Sequence, residues 1–161
     1  MHVELFADYF QILLLDESTQ SSLSDAWTSE AVQRRLATES GLMGIWTEVN
    51  DDVDVSIHLL ESRPKSEVGL ADHVVEGSLE VVSGVLVVMG CTDYLPDAPR
   101  LTLPAGWFRV RVSKSNLEAV LSEDAESVDG QGEVERIVID LWPEEYSEPK
   151  VLKKFEPDSA A

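Results

Sequence analysis

Apolar and polar positions alternate in short runs with a period of two along most of this chain, and such alternation predicts strands with one dry and one wet face. Val53, Val55, Ile57 and Leu59 interleave strictly with Asp54, Ser56 and His58. His73 to Val81 and Val85 to Met89 continue the pattern, the second run being too short between Gly84 and Gly90 to make a helix. Leu101 and Leu103 lead into the turn signal Pro104-Ala105-Gly106, and Phe108, Val110 and Val112 follow as the expected hairpin partner. Arg136 to Leu141 reads as the last strand, with Ile137, Ile139 and Leu141 on one side. Near the start, Glu4 to Leu15 alternates imperfectly and then becomes wholly apolar from Ile12 to Leu15, as a strand buried on both faces would.

One segment changes period. Thr28 is a good helix N-cap, and Val32 and Leu36 lie one turn apart, which predicts a short helix over Ser29 to Thr38 that Gly41 ends. Seven or eight strands with one brief helix cannot form a parallel α/β sheet, because each parallel crossover needs a dozen or more residues. The predicted fold is therefore mainly β: an antiparallel β-sandwich with one short helix inserted after the first strand. The pattern places a single domain over residues 1–142. Residues 143–161, punctuated by Pro149 and Pro157, are expected to be an extension with local contacts.

A chain of 161 residues with 43% hydrophobic content is long enough to bury one core without disulfides or a structural metal. No apolar run approaches a membrane span and no secretory layout opens the chain, so a cytoplasmic protein is expected. Charge changes the picture most. Against 12 basic residues stand 31 acidic ones, a formal net charge of −19. So negative a surface repels nucleic acid and anionic membranes, and leaves a strongly basic partner, a cation, or no partner at all, the acidity then serving solubility.

The acids are densest late in the chain, where residues 118 to 148 hold 11 acidic residues and one basic. Glu123, Asp124, Glu126, Asp129, Glu133 and Glu135 surround Gly130 and Gly132 and read as an exposed acidic loop. Asp51, Asp52 and Asp54 form a smaller group at the turn before the Val53 strand. In extended chain, residues two apart stand roughly 6.6–6.8 Å apart on one face. Glu133 and Glu135 would then present separated anions to a cationic groove.

Catalytic chemistry finds little support. Cys91 has no histidine near it in sequence and reads as a small buried residue, while His2, His58 and His73 lack ligand spacing for zinc. The Asp51–Asp54 turn lacks the central Gly and distal Glu of a calcium loop. No cofactor or metal is expected, and no enzyme. Trp107, Arg109 and Arg111 share one face in the only basic stretch, and the two arginines are expected to lie opposite acids of neighbouring strands.

The order of segments resembles a known family. Tyr9-Phe10-Gln11-Ile12, Trp27-Thr28-Ser29-Glu30-Ala31-Val32, Gly41-Leu42 and the Val55-Ile57-Leu59 strand, then Leu101 to Val110 around Pro104-Ala105-Gly106 and the Ile137 to Leu141 strand, are similar to the competence protein J family of bacterial DNA-entry nuclease inhibitors. The resemblance spans residues 9–142. It implies a non-enzymatic intracellular protein that masks the active site of a nuclease, an acidic competitor for a cleft built to hold a phosphodiester backbone. A structural or regulatory β-sandwich acting through self-association or docking is the alternative.

Overall fold

The computed structural model describes residues 1–65, 69–122 and 133–157. Its strands are β1 (His2–Phe6), β2 (Gln11–Asp16), β3 (Leu36–Glu39), β4 (Leu42–Trp46), β5 (Asp52–Leu59), β6 (His73–Val81), β7 (Val85–Gly90), β8 (Arg100–Thr102), β9 (Gly106–Ser115), β10 (Glu135–Pro143) and β11 (Lys150–Lys153). Two short helices, α1 (Ser29–Arg34) and α2 (Leu117–Leu121), join them. The strands build a six-stranded sheet in the order β1-β5-β10-β9-β6-β11 and a five-stranded sheet in the order β3-β4-β2-β7-β8. All pairings are antiparallel except β5 with β10. No helix among the described residues is long and apolar enough to cross a membrane.

The period-two faces make the core. Val53, Val55 and Ile57, Val75 and Leu79, Phe108, Val110 and Val112, and Ile137, Ile139 and Leu141 point inward from the larger sheet. They meet Ile12, Leu14, Met43, Ile45, Leu86 and Val88 of the smaller one. Each fully buried side chain of this size stabilises the fold by roughly 1.5–3 kcal/mol before the entropy of ordering it. A second cluster, with Leu15, Leu23, Ala31, Leu42 and Val87, covers the outer face of the smaller sheet with α1 and the segment before it.

Local chemistry moved several boundaries. The run Glu4 to Leu15 is two strands in different sheets, split by a tight turn at Asp8–Phe10, so α1 follows the second strand. Gly90 allows this crossing, because a Cβ there would strike the carbonyl of Phe6. Thr28 caps α1 as expected, its hydroxyl accepting from Ala31 N–H at 3.2 Å. The helix nevertheless ends at Arg34: Arg35 adopts a left-handed conformation (φ 63°), and Leu36–Glu39 pairs with β4 through a hairpin whose turn holds Gly41 at φ 69°.

The expected hairpin across Pro104-Ala105-Gly106 does not form. Instead β8 pairs with β7 in the smaller sheet while β9 pairs with β6 and β10 in the larger, so this turn carries the chain between layers. Nor are the contacts of the segment after Pro143 local. Residues 144–149 cross the outer face of the larger sheet, and β11 then adds to the edge of β6. Phe155 beyond it is buried.

Candidate acidic interface

Because β5 and β10 run parallel, with Glu135 opposite Val53 and Arg136 opposite Asp54, the chain enters both strands at the same end of the sandwich. That geometry brings Asp51 and Asp52 to the end from which Glu133 emerges. Asp51, Asp52 and Glu133 are exposed. Asn116, at the end of β9, donates from Nδ2 to Glu133 Oε2 at 2.9 Å. Ala7 N–H donates to the Asp51 carbonyl at 2.9 Å, which draws Asp8 to the same rim. Asp54 lies further along the outer face, hydrogen-bonded to the His2 ring. Glu123, Asp124, Glu126 and Asp129 lie outside the described residues.

Glu135 departs from the expected display. Its side chain is fully buried, because it shares the inward face of β10 with Ile137, Ile139 and Leu141. Burial pushes its carboxyl above the usual range, and Lys114 offsets this only in part. Lys114 is itself fully buried, at the inward end of β9, with Nζ 2.8 Å from the Trp46 carbonyl, 2.9 Å from Glu48 Oε1 and 3.3 Å from Glu135 Oε2. Glu135 Oε1 accepts from Glu48 N–H at 2.7 Å. Burial would raise the Glu48 carboxyl too, but Lys114 and Arg35 hold it below its ordinary value. The result is a charged plug that fixes the ends of β4, β9 and β10 beneath the acidic rim.

His73 lies on the same inward face. Its Nε2 donates to the Arg34 carbonyl at 2.9 Å and its Nδ1 accepts from Phe155 N–H at 3.0 Å, an arrangement only the neutral ring satisfies. Burial, with Arg35 and Lys114 nearby, lowers its pKa from 6.5 to about 4. The unfolded chain therefore binds a proton that the folded one refuses between those values, so stability is complete above about pH 6.5 and falls as pH drops toward 4, by about 3 kcal/mol at the limit. Denaturant unfolding at pH 7 and pH 5 checks this, with the loss expected in the wild type and largely absent in His73→Gln. Equal slopes for the two proteins would contradict it.

Beside the carboxylates stands an aromatic ledge. Tyr9 and Phe10 both adopt left-handed backbone angles (φ 57° and 61°) and are 67% and 40% exposed. Phe10 stacks on Trp46 at 5.9 Å between ring centroids, and Trp27 meets Trp46 edge-on at 5.6 Å. Thr92 and Cys91 tether the neighbouring loop to Asp8, through the Asp8 carboxylate at 2.9 Å and its carbonyl at 3.1 Å.

The described strands share the fold of a nuclease inhibitor. Over 89% of this chain and 96% of the other, the structure is similar to ComJ of Bacillus subtilis, the inhibitor of the DNA-degrading activity of NucA, with a TM-score of 0.68 and 16% sequence identity. It is also similar to the product of crocagin biosynthetic gene J, over 90% of this chain and 96% of that one, with a TM-score of 0.59 and 25% identity. No family model matches the chain, and no curated protein matches it in sequence. The likeness to ComJ agrees with the distant resemblance read from the order of segments.

On this ComJ-like fold, the two arginines of the basic stretch are paired internally. As expected from the strand register, Arg111 lies opposite Glu76 and donates from Nε at 2.8 Å. Arg109 donates to the same carboxylate at 3.1 Å, and Arg63 reaches it from outside at 3.1 Å. Burial would raise the Glu76 carboxyl, yet Arg111, Arg109 and Arg63 hold it below the usual range. Arg109 also donates to the carbonyls of Ser147 and Glu148, both at 2.9 Å, so the segment after Pro143 lies over these arginines. The basic stretch thus offers no free anion-binding face. Among the described residues, by contrast, Asp8, Asp51, Asp52 and Glu133 form no ion pair.

Burial, then the charge of Asp8, pushes the Cys91 thiol up, away from the thiolate a nucleophile needs. Among the described residues no group of three or more His, Cys, Asp or Glu is placed to hold a metal ion. Sequence reasoning did not assign the Tyr9–Phe10 ledge to the site. Two adjacent aromatics interrupting an otherwise apolar strand run were its signal.

Proposed function

We propose that this protein is a non-enzymatic cytoplasmic binding protein that inhibits, or gives immunity to, a basic nuclease by masking its DNA-binding cleft. The observation that carries the reading is the fold held in common with ComJ, taken with a net charge of −19 and with Asp8, Asp51, Asp52 and Glu133 brought to one end of the sandwich, none of them ion-paired among the described residues. The residues proposed to meet the partner are Asp51, Asp52 and Glu133, with Glu123, Asp124, Glu126 and Asp129 of the acidic run that precedes Glu133 in sequence; Asp54, already bonded to His2, is secondary. A nuclease that grips phosphates does so with lysines and arginines, so carboxylates at this end gain both steering and contact energy there.

The test is cleavage of DNA by the nuclease encoded nearest to this gene, measured with and without the protein across salt concentrations. Inhibition is expected at low ionic strength, weakening as salt shortens the Debye length from about 30 Å at 0.01 M to about 8 Å at 0.15 M. Undiminished cleavage at low salt would reject the reading. A second reading is a structural or regulatory β-sandwich acting through self-association or docking to another protein, with no nuclease partner; the likeness to a biosynthetic gene product, whose name mentions no nuclease, supports it. A tight self-associated species in sedimentation that buries the acidic end would support it.

A further inference from the structure

We infer that the Tyr9–Phe10 ledge is the anchor of the partner interface, and that its occupant is an arginine side chain of the basic protein. The inference rests on the reading that the partner is basic, and adds to it which side chains carry contact energy as distinct from steering.

Exposed carboxylates on a flat surface attract cations over distance, but each fully hydrated pair contributes little once formed. Interfaces instead draw most of their affinity from a few aromatic or arginine anchors in partly desolvated surroundings, enclosed by polar residues that exclude water. The acidic end has that composition. Tyr9 is 67% exposed and Phe10 40%, and Phe10 is already backed by Trp46 on one side. The paired left-handed conformations at φ 57° and 61° and the Thr47 N–H bond to the Phe10 carbonyl at 2.9 Å fix the backbone from which the rings project. Around them lie Asp8, Asp51 and Asp52, none of them ion-paired among the described residues.

A guanidinium fits this combination better than an ammonium. Its plane stacks on an aromatic face while its edge keeps five donors for neighbouring carboxylates, whereas an ammonium is a compact, strongly hydrated point charge. The molecule already uses the same device elsewhere: the Arg63 and Arg111 guanidinium carbons lie 5.0 Å and 5.5 Å from the Trp142 ring centroid, with Glu76 beside them. At the ledge the rings and acids are present and the arginine is the part the partner supplies.

The probe is a hexaarginine peptide, titrated at physiological salt into isotope-labelled protein and followed by the aromatic resonances. Tyr9, Phe10 and Trp46 signals are expected to shift together, with hexaarginine binding more tightly than hexalysine. Tyr9→Ala should weaken hexaarginine roughly 3- to 30-fold, the range of an exposed to a desolvated cation–π contact. Tyr9→Phe should retain the affinity, and Tyr146→Ala, an exposed aromatic at the opposite end, should leave it unchanged. Tyr9 is exposed, so its removal leaves no cavity that could unfold the chain. Equal affinity of hexaarginine for wild type and Tyr9→Ala would overturn the inference. Binding at the ledge without nuclease inhibition counts against the nuclease reading alone, whereas inhibition with a ledge that hexaarginine ignores counts against this inference alone.

Discussion

Replacing Glu76 by alanine is expected to cost about 3–5 kcal/mol, the penalty for removing one partner from a buried ionic cluster and leaving the others uncompensated. Glu76, Arg109 and Arg111 are all less than 5% exposed, and one carboxylate serves both guanidiniums together with Arg63. Its loss would leave two adjacent cations repelling each other under the segment after Pro143. That segment is held by Arg109, so hydrogen exchange at Ser147 should accelerate along with the fall in denaturation midpoint; the Ser147 N–H otherwise donates to Ser78 Oγ at 3.1 Å. Since domains of this size are stable by roughly 5–15 kcal/mol, the variant should remain folded in water but unfold at markedly lower denaturant. A loss under about 1 kcal/mol, the scale of solvated surface pairs, would mean the cluster is wetter than its burial says.

Lys114→Met should be comparably costly, about 3–4 kcal/mol, for a different reason. Glu48 keeps Arg35 when the lysine goes, but Glu135, with no side-chain exposure, keeps only the Glu48 N–H. Glu135 must then take up a proton or remain a buried charge. The double variant Lys114→Met with Glu135→Gln should recover a large part of the loss, with a coupling energy of up to about 3 kcal/mol in the cycle. Additive effects would show that the two groups do not sense each other. Because Lys114 also holds the Trp46 carbonyl, and Phe10 rests on Trp46, the single variant should disturb the aromatic ledge without touching it.

Much of the fold was legible because period-two alternation reports burial directly. Strands β5, β6, β7, β9 and β10 stand where the apolar alternation put them, and the mainly β, two-sheet class follows from their number. Sheet membership was not legible, since a turn such as Pro104-Ala105-Gly106 reads alike whether it closes a hairpin or steps between layers. The helix end was missed because nothing in Arg34-Arg35-Leu36 breaks a helix by propensity; the pairing of Leu36–Glu39 with β4 overrides it. Strand β11 was missed for the opposite reason, its four residues lying between prolines and carrying two lysines on an edge.

The buried charges are the instructive case. Glu135 has the parity of Ile137 and Ile139, and Lys114 that of Val110 and Val112, so the alternation that predicted those strands also pointed both charges inward. Reading Glu135 with the acidic run to its left concealed this. Asp51 and Asp52 join Glu133 at one end only through the parallel pairing of β5 with β10, a long-range register that no local pattern encodes.

The central claim is that one end of the sandwich, and not net charge in general, meets the partner. Stopped-flow association with whichever nuclease the protein inhibits in the cleavage test measures it, comparing Asp8, Asp51 and Asp52 reversed together to lysine against Glu39, Glu61 and Glu145, exposed acids at the opposite end, reversed in the same way. Both variants change the net charge equally. The account predicts that the first slows association by on the order of tenfold or more and the second by far less; equal slowing in both would contradict it.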